Sequence, residues 1–351
     1  MIEIDGSYLE GGGQILRTAC ALSAVTQKPC RIFNIRKNRP KPGLIYQHLL
    51  GVQALSELCG ARLEGAELGS KEIKFYPHRI RKNQISVKIP TAGSITLILQ
   101  ALILPAIFSP SPIKINFEGG ATDTFFSPTI DHFRYVFLKI LEKMGAKTEI
   151  NIQKRGYYPE GGAKVETTLS RYQNNGNVNV NELKSINLTK RGGLRNILAI
   201  SGASEFLRNK KVAERQLQGV REVLGKLKLP IEERAEYYQT QNPGSQICLA
   251  AEFENTVIGT DNLGKLGRRA EDVGKEAALE LLKEQKTEAC LDKHLADQIL
   301  PYLALASGKS QVTVSEITGH CQSNIWVIEK FLDGKFEIKN NLIAWKKSQQ
   351  N

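Results

Sequence analysis

The chain has 351 residues, 41% hydrophobic and 24% charged, with a formal net charge of 48 − 36 = +12. That length exceeds one small core, so two domains are expected, and the composition excludes a disordered or collagen-like chain. The positive balance points to a polyanionic partner, and it is concentrated: from Lys28 to His48 there are six Lys or Arg and no Asp or Glu.

In chain order, Met1–Asp5 is acidic and carries no apolar signal-peptide core. The run Glu10-Gly11-Gly12-Gly13-Gln14-Ile15-Leu16-Arg17 then feeds a helix expected over 14–25. Free N–H groups at a helix start bind phosphate, and glycine lets a ligand approach the backbone, although a tight strand-to-helix turn needs the same residues. No Gly-Lys-Ser/Thr follows, so this is not a Walker A loop. Glu10, a carboxylate beside a phosphate site, suits a divalent cation; Arg17 lies one turn into the helix. A strand is expected over 31–35. The loop Arg36–Gly43 follows, then a helix starting near Leu44 and stopped by Gly60. Arg36, Lys37, Arg39, Lys41 and Gln47 surround Pro40 and Pro42, which stiffen the loop for phosphate binding, the alternative being a solvated basic loop.

Strands are expected over 72–76 and 84–89. An apolar helix over 96–107, a strand over 114–117, a loop from Glu118 to Pro128 and a helix from Thr129 to Gly145 come next. The longest apolar run, Ile95 to Phe108, contains Gln100 and Pro105 and is too short to cross a bilayer. Strands over 149–153 and 163–168 flank Lys154-Arg155-Gly156-Tyr157-Tyr158-Pro159-Glu160-Gly161-Gly162, which reads as a structural hairpin. The Asn-rich stretch 172–181 reads as a linker. A strand over 196–201, a helix over 211–227, strands near 234–239 and 246–254 and a helix over 269–284 follow. A third apolar helix over 297–306 precedes a strand over 311–314, a loop over 315–322 holding His320, and a helix from about Ser323. Residues 346–351 read as a frayed polar tail.

The pattern repeats. Apolar helix, strand, loop, second helix and alternating strands recur near 32, 113 and 312, with steps of about 81 and 199 residues. The expected fold class is α+β: three β-α-β-α-β-β-like units in a discontinuous domain, 1–184 plus 286–340, with an inserted α+β domain at 185–285 and a tail at 341–351. Equivalent loops would share one cleft, one basic, one carrying Gly, Asp and Pro, one carrying His320. A histidine at a helix start keeps a neutral, nucleophilic imidazole, though it also serves as a polar cap. The six cysteines, at 20, 30, 59, 248, 290 and 321, form no C-x-x-C pair and read as small buried hydrophobes of a reducing, cytoplasmic compartment. There is no H-E-x-x-H and no G-x-S-x-G.

These pieces resemble the RNA 3′-terminal phosphate cyclase family over nearly the whole chain. The resemblance is carried by Asp5-Gly6 with Glu10–Arg17, by Arg36, Arg39, Lys41-Pro42-Gly43 and Gln47-His48, by Gly65–Ser70, and by Ala92-Gly93-Ser94 with Gln100. It continues through Arg155–Gly162, where Ala163 replaces a third glycine of the family pattern, and Asn324–Leu332. It implies an enzyme that uses ATP with Mg²⁺ or Mn²⁺. Histidine takes AMP from ATP, AMP passes to an RNA 3′-phosphate, and the 2′-OH closes a 2′,3′-cyclic phosphate as AMP leaves. By position in the motifs, His320 is the implied nucleophile, with Arg17 and Arg39 as catalytic partners and Glu10 at the metal. Arg17, Arg36, Arg39 and Gln47 are implied at the phosphates and RNA end, and Gln100, Pro128, Asp297 and His294 around adenosine, His294 standing where bacterial members have a stacking tyrosine. The partner implied is RNA with a 3′-phosphate end, with no membrane; the oligomeric state is not legible. The alternatives are a non-catalytic cyclase-like protein of ribosome assembly, which lacks the histidine, an enolpyruvyl transferase built on related repeats, and a bare RNA-binding module.

Overall fold

The computed structural model describes residues 1–171, 183–227 and 230–348. The linker expected at 172–181 lies outside them. The architecture is mixed α+β. The first sheet holds β1 (Ile2–Asp5), β2 (Cys30–Phe33), β3 (Arg62–Glu64) and β4 (Ile73–Tyr76) in the order β1-β2-β4-β3, with α1 (Gly13–Thr26) and α2 (Tyr46–Cys59) between strands. The second holds β5 (Gln84–Ser94), β6 (Ile113–Ala121), β7 (Ala146–Lys154) and β8 (Lys164–Arg171) in the order β5-β6-β8-β7. Its helices are α3 (Ile95–Ile107) and the run α4 (Ile130–His132), a π-helical turn (Phe133–Phe137) and α5 (Leu138–Lys143).

Short strands β9 (Leu183–Lys184) and β10 (Asn187–Leu188) lead into a third sheet, β11 (Leu194–Ser204), β12 (Ile231–Tyr238), β13 (Ser245–Phe253) and β14 (Val257–Leu263), ordered β12-β11-β13-β14. The helices α6 (Val212–Leu224) and α7 (Ala270–Lys286) belong to the same stretch, and α8 (Lys293–Leu305) follows. After β15 (Ala306–Ser307), which pairs with β9, come β16 (Gln311–Thr313), α9 (Gly319–Phe331), β17 (Gly334–Lys339) and β18 (Leu342–Lys347). The last four-stranded sheet runs β10-β16-β18-β17.

Three of these sheets share one strand order: the first two strands in sequence pair in parallel (β1/β2, β5/β6, β10/β16), the second pairs antiparallel with the fourth, and the fourth pairs antiparallel with the third. The sheet of β11–β14 also has one parallel and two antiparallel pairs, but there the first strand, β11, lies between β12 and β13. Two hydrophobic clusters lie beneath. The larger gathers residues from Ile4 to Trp345, and α3 runs through it with every residue buried except Gln100. The smaller draws only on residues between Leu194 and Leu282, where α6 and α7 cover the sheet of β11–β14.

Several boundaries move. Asn187–Leu188, expected inside the insertion, is instead the parallel edge strand of β16. Residues 342–347, expected as tail, form β18, whose Ile343 and Trp345 are buried, so hydrophobic burial overrides a polar-looking end. The strand expected to end at Phe117 continues to Ala121. All six cysteines are free and buried. Among the described residues no helix is long and apolar enough to cross a membrane.

The Arg155 run joins the antiparallel β7 and β8, as a hairpin should. Arg155 itself is buried, donating to Asp123 Oδ2 at 3.1 Å and Asp131 Oδ1 at 2.7 Å, with its guanidinium 4.4 Å from the Tyr238 ring centroid. Tyr157 donates to Gln246 Oε1 at 2.5 Å, and Gln246 Nε2 donates to Asp131 Oδ2 at 3.3 Å. Ala163 fits in place of glycine: its N–H donates to Gly120 O and its carbonyl accepts from Gly119 N. The run thus clamps the 194–282 segment to the second sheet.

Candidate active site

Helix α9 begins earlier than its sequence suggests. Thr318 caps it, its Oγ1 accepting from Cys321 N at 3.1 Å, so His320 sits in the first helical turn rather than in a preceding loop. Its ring is half-buried. Nε2 lies 2.8 Å from Glu10 Oε2, and Nδ1 lies 3.7 Å from Asp297 Oδ2. Burial lowers the imidazole pKa; Glu10 opposes this, and Arg17 and Arg39 add to it. The helix N-terminus acts in the same direction. Burial, the two arginines and the helix N-terminus thus favour the neutral ring, the state a nitrogen nucleophile requires.

A ladder of buried polar contacts holds α1, α8 and α9 in register. Gln14 Nε2 donates to His320 O at 2.9 Å, Thr18 Oγ1 to Asn324 Oδ1 at 2.7 Å, and Asn324 Nδ2 to Asp297 O at 2.7 Å. Residues 14 and 18, like 320 and 324, are four apart and share a helix face. None of Gln14, Thr18 and Asn324 stood out as a site residue in the sequence. The available signal was polar side chains on helix faces that otherwise bury apolar residues.

The cleft beside this ladder is lined by Arg17, Gln100, Asp297, Gln298 and Asn324, with Leu104 and Phe137 as its apolar wall. Arg17 is half-buried, and burial brings its pKa down to about 10 against the pull of Asp297. Burial pushes the Asp297 carboxyl up to about 7; Arg17 opposes, while Asp292 and Glu10 reinforce the rise. The carboxamide oxygens of Gln14 and Gln298 are buried without a hydrogen-bond partner, leaving acceptors for a polar ligand.

The structure brings Glu10, Arg17, Arg39, Gln100, Asp297 and His320 together, with Arg39 Nη2 3.7 Å from Glu10 Oε2. The other expected residues stand differently. Arg36 turns into its own loop, donating to Lys41 O at 2.6 Å and Gly43 O at 3.0 Å, so it shapes the basic loop. Gln47 reaches toward Ser94 N, at a long 3.4 Å, beside the start of α3. The Pro128 carbonyl accepts from Thr96 Oγ1 at 2.9 Å, and the next N–H, of Thr129, donates to Asp261 Oδ2 at 2.6 Å. His294 is exposed in the first turn of α8, on the helix face that three- and four-residue spacing shares with Asp297, Gln298 and Pro301.

Close approach explains two glycines. A Cβ on Gly13 would stand 2.0 Å from His48 Nε2, and one on Gly319 would stand 2.5 Å from Glu10 Oε1. His48 is buried, its pKa lowered to about 3 by burial and by Arg17 and Arg36, so it is a neutral packing partner of the glycine run. Gly13→Ala is expected to cost about 1–3 kcal/mol, the range of overpacked cores. The check is a denaturant unfolding curve, and a loss below about 0.5 kcal/mol would show that His48 can move aside.

The RNA 3′-terminal phosphate cyclase family model matches residues 8–338. RNA 3′-terminal phosphate cyclase from Pyrococcus abyssi is 44% identical over 338 residues, 96% of this chain and 95% of that protein. The protein of the same description from Saccharolobus islandicus is 45% identical over 340 residues, 96% of each. The crystal structure of the enolpyruvyl transferase NikO from Streptomyces tendae aligns with TM-score 0.42 and 9% identity, over 99% of this chain and 48% of that one, a likeness too low to bear on function. With the family model spanning nearly the whole chain and relatives matched end to end, this chain belongs to the RNA 3′-terminal phosphate cyclase family.

Proposed function

We propose that the protein converts an RNA 3′-terminal phosphate to a 2′,3′-cyclic phosphate at the expense of ATP, through AMP carried on His320. The observation that carries this reading is the half-buried imidazole of His320 held between Glu10 and Asp297, with Asp297 also lining the cleft that holds Arg17 and Gln100. A ring nitrogen forms a bond to the α-phosphorus of ATP as the bond to pyrophosphate breaks, and the imidazole proton is released. An oxygen of the RNA 3′-phosphate then takes the AMP as the P–N bond breaks. The neighbouring 2′-OH attacks the RNA phosphorus, and AMP leaves. A phosphate monoester is a poor electrophile until AMP becomes its leaving group, which is why the work is divided.

Glu10, 2.8 Å from Nε2, and Asp297, 3.7 Å from Nδ1, hold the ring in place, and the nitrogen that attacks gives up its contact as ATP binds. Arg17 and Arg39 bind the phosphates. Gln100, the one residue of α3 that is not buried, supplies a polar contact to the nucleoside, with Pro128 and His294 flanking the base. Arg36 and Gln47 serve the RNA end, Arg36 by shaping the loop that carries Arg39 and Lys41. Among the described residues no three His, Cys, Asp or Glu form a metal-holding group. One carboxylate, Glu10, suits Mg²⁺ or Mn²⁺, since Mg²⁺ takes one or two carboxylates and fills its remaining positions from phosphates and water. The ion would neutralise phosphate charge. In this reading the three sheets of like strand order are three copies of one unit, and the segment between β10 and α8 is an inserted domain.

Incubation with α-labelled ATP and Mg²⁺ tests the function. The expected result is acid-labile label on the protein, as a phosphoramidate requires; a protein that never takes label would remove the covalent route and favour a non-catalytic cyclase-like role. Arg39→Ala is expected to weaken use of 3′-phosphorylated RNA and to lower the salt dependence of binding by about one in log–log slope. An unchanged slope would place Arg39 away from the RNA.

A further inference from the structure

Two residues before Glu10, the ring of Tyr8 lies on the indole of Trp326, centroids 4.4 Å apart and planes 13° from parallel. Trp326 is six residues beyond His320 on α9, about 9 Å of helix rise. The stack is not sealed from solvent. Tyr8 is 37% exposed, and the neighbouring Leu9, held at φ +50°, is 46% exposed. Lys330 Nζ lies 5.7 Å from the Trp326 ring centroid. Asn38 Nδ2 donates to the carbonyls of Ser7 at 2.9 Å and Leu9 at 3.1 Å, which ties the Tyr8 loop to the basic loop carrying Lys37, Arg39 and Lys41. A partly exposed aromatic ring and a set of cations are therefore tied together on the loops beside Glu10, the carboxylate that contacts His320.

We propose that Tyr8, backed by Trp326, is a stacking platform for a base at the 3′ end of single-stranded RNA. The inference rests on the reading that the His320 cleft acts on an RNA end. Tyr8 is two residues from Glu10, whose carboxylate lies 2.8 Å from His320 Nε2, so an RNA whose terminal phosphate reaches His320 passes close to this loop. An aromatic face accepts any base, and cations beside it follow the phosphates, the combination used by sequence-tolerant single-strand binders. A pin that merely held the glycine loop to α9 would have no need of an open outer face.

The test uses the full chain with Tyr8→Ala, Tyr8→Leu and Tyr8→Phe. Leu keeps an apolar contact to Trp326 without a ring. The substrates are a 3′-phosphorylated oligoribonucleotide and its versions abasic at the last or second-last position. Tyr8→Ala and Tyr8→Leu are expected to raise the RNA KM about tenfold, in line with one base–aromatic stack, and Tyr8→Phe to restore it. Labelling of His320 by ATP without RNA should change less than twofold in all three, a split that a structural pin would not produce. Removing the base at one of the two positions should cost the wild type the same tenfold and cost Tyr8→Ala nothing more. If base removal and Tyr8→Ala lose activity additively at both positions, or if labelling falls in parallel with cyclisation, Tyr8 is not the platform. A wild type that takes label yet cyclises no RNA would overturn the RNA-end reading itself.

Discussion

Replacing His320 with Asn is expected to remove both ATP labelling and cyclisation, by roughly 10⁴-fold or more, the scale seen when a covalent nucleophile is lost. The fold should survive. The contact that ties α9 to α1 uses the backbone carbonyl of His320, from which Gln14 Nε2 is 2.9 Å away, and that carbonyl is untouched by the substitution. The imidazole is 43% exposed and fills no core space. Stability should therefore stay within about 0.5 kcal/mol of wild type. The measurement is the rate of protein–AMP formation beside a denaturant melt. A labelled adduct formed by His320→Asn at a comparable rate would place the nucleophile elsewhere. His48 is the other histidine near Arg17, but its buried ring packs against Gly13, and it offers no open nitrogen at the cleft mouth.

Arg155→Leu is expected to be the most destabilising single change, at about 3–5 kcal/mol. The guanidinium is 3% exposed and answers two carboxylates that are at most 1% exposed, Asp123 and Asp131. Burial works against the Asp123 carboxylate as an anion and raises its pKa, with Arg155 the principal opposing charge. Removing the cation leaves two acids facing each other in a dry site, so at least one must take a proton. The loss should spread across the boundary with the 194–282 segment, because Asp131 also accepts from Gln246 Nε2 and Tyr238 covers the guanidinium. Urea unfolding of Arg155→Leu, with Arg155→Lys beside it, measures the effect. Lys keeps the charge but lacks the two-pronged geometry, so it should recover only part. A loss below about 1 kcal/mol would mean that hydrophobic contact, not this network, docks the segment. The same network argues against treating the segment as a detachable appendage, since removing it would also take away Asp261, the acceptor for Thr129 N next to Pro128.

The elements that carry the candidate site were partly readable along the chain because they are local. Gly11-Gly12-Gly13 before an apolar helix marks a helix start whatever surrounds it, and the basic run from Lys28 to His48 is a property of composition. The helix over 96–107 was legible from its apolar run, and so was the interruption at Gln100. The tail at 341–351 and the strand of 257–263 were not legible, since a short strand depends on the partner that pairs with it rather than on its own residues.

What only the tertiary structure decided is which of these pieces meet. Glu10 and His320 are 310 residues apart, and nothing in either neighbourhood specifies a 2.8 Å contact. It arises because α1 packs against α9 in the register fixed by Gln14 and Thr18 against His320 O and Asn324. Arg36 and Arg39 look alike in the sequence, yet one guanidinium turns back onto carbonyls of its own loop and the other points at Glu10. The sequence alone determined the local propensities and the charge; packing alone chose which polar groups would be taken out of water together, because a buried polar atom is tolerated only where the rest of the fold supplies its partner.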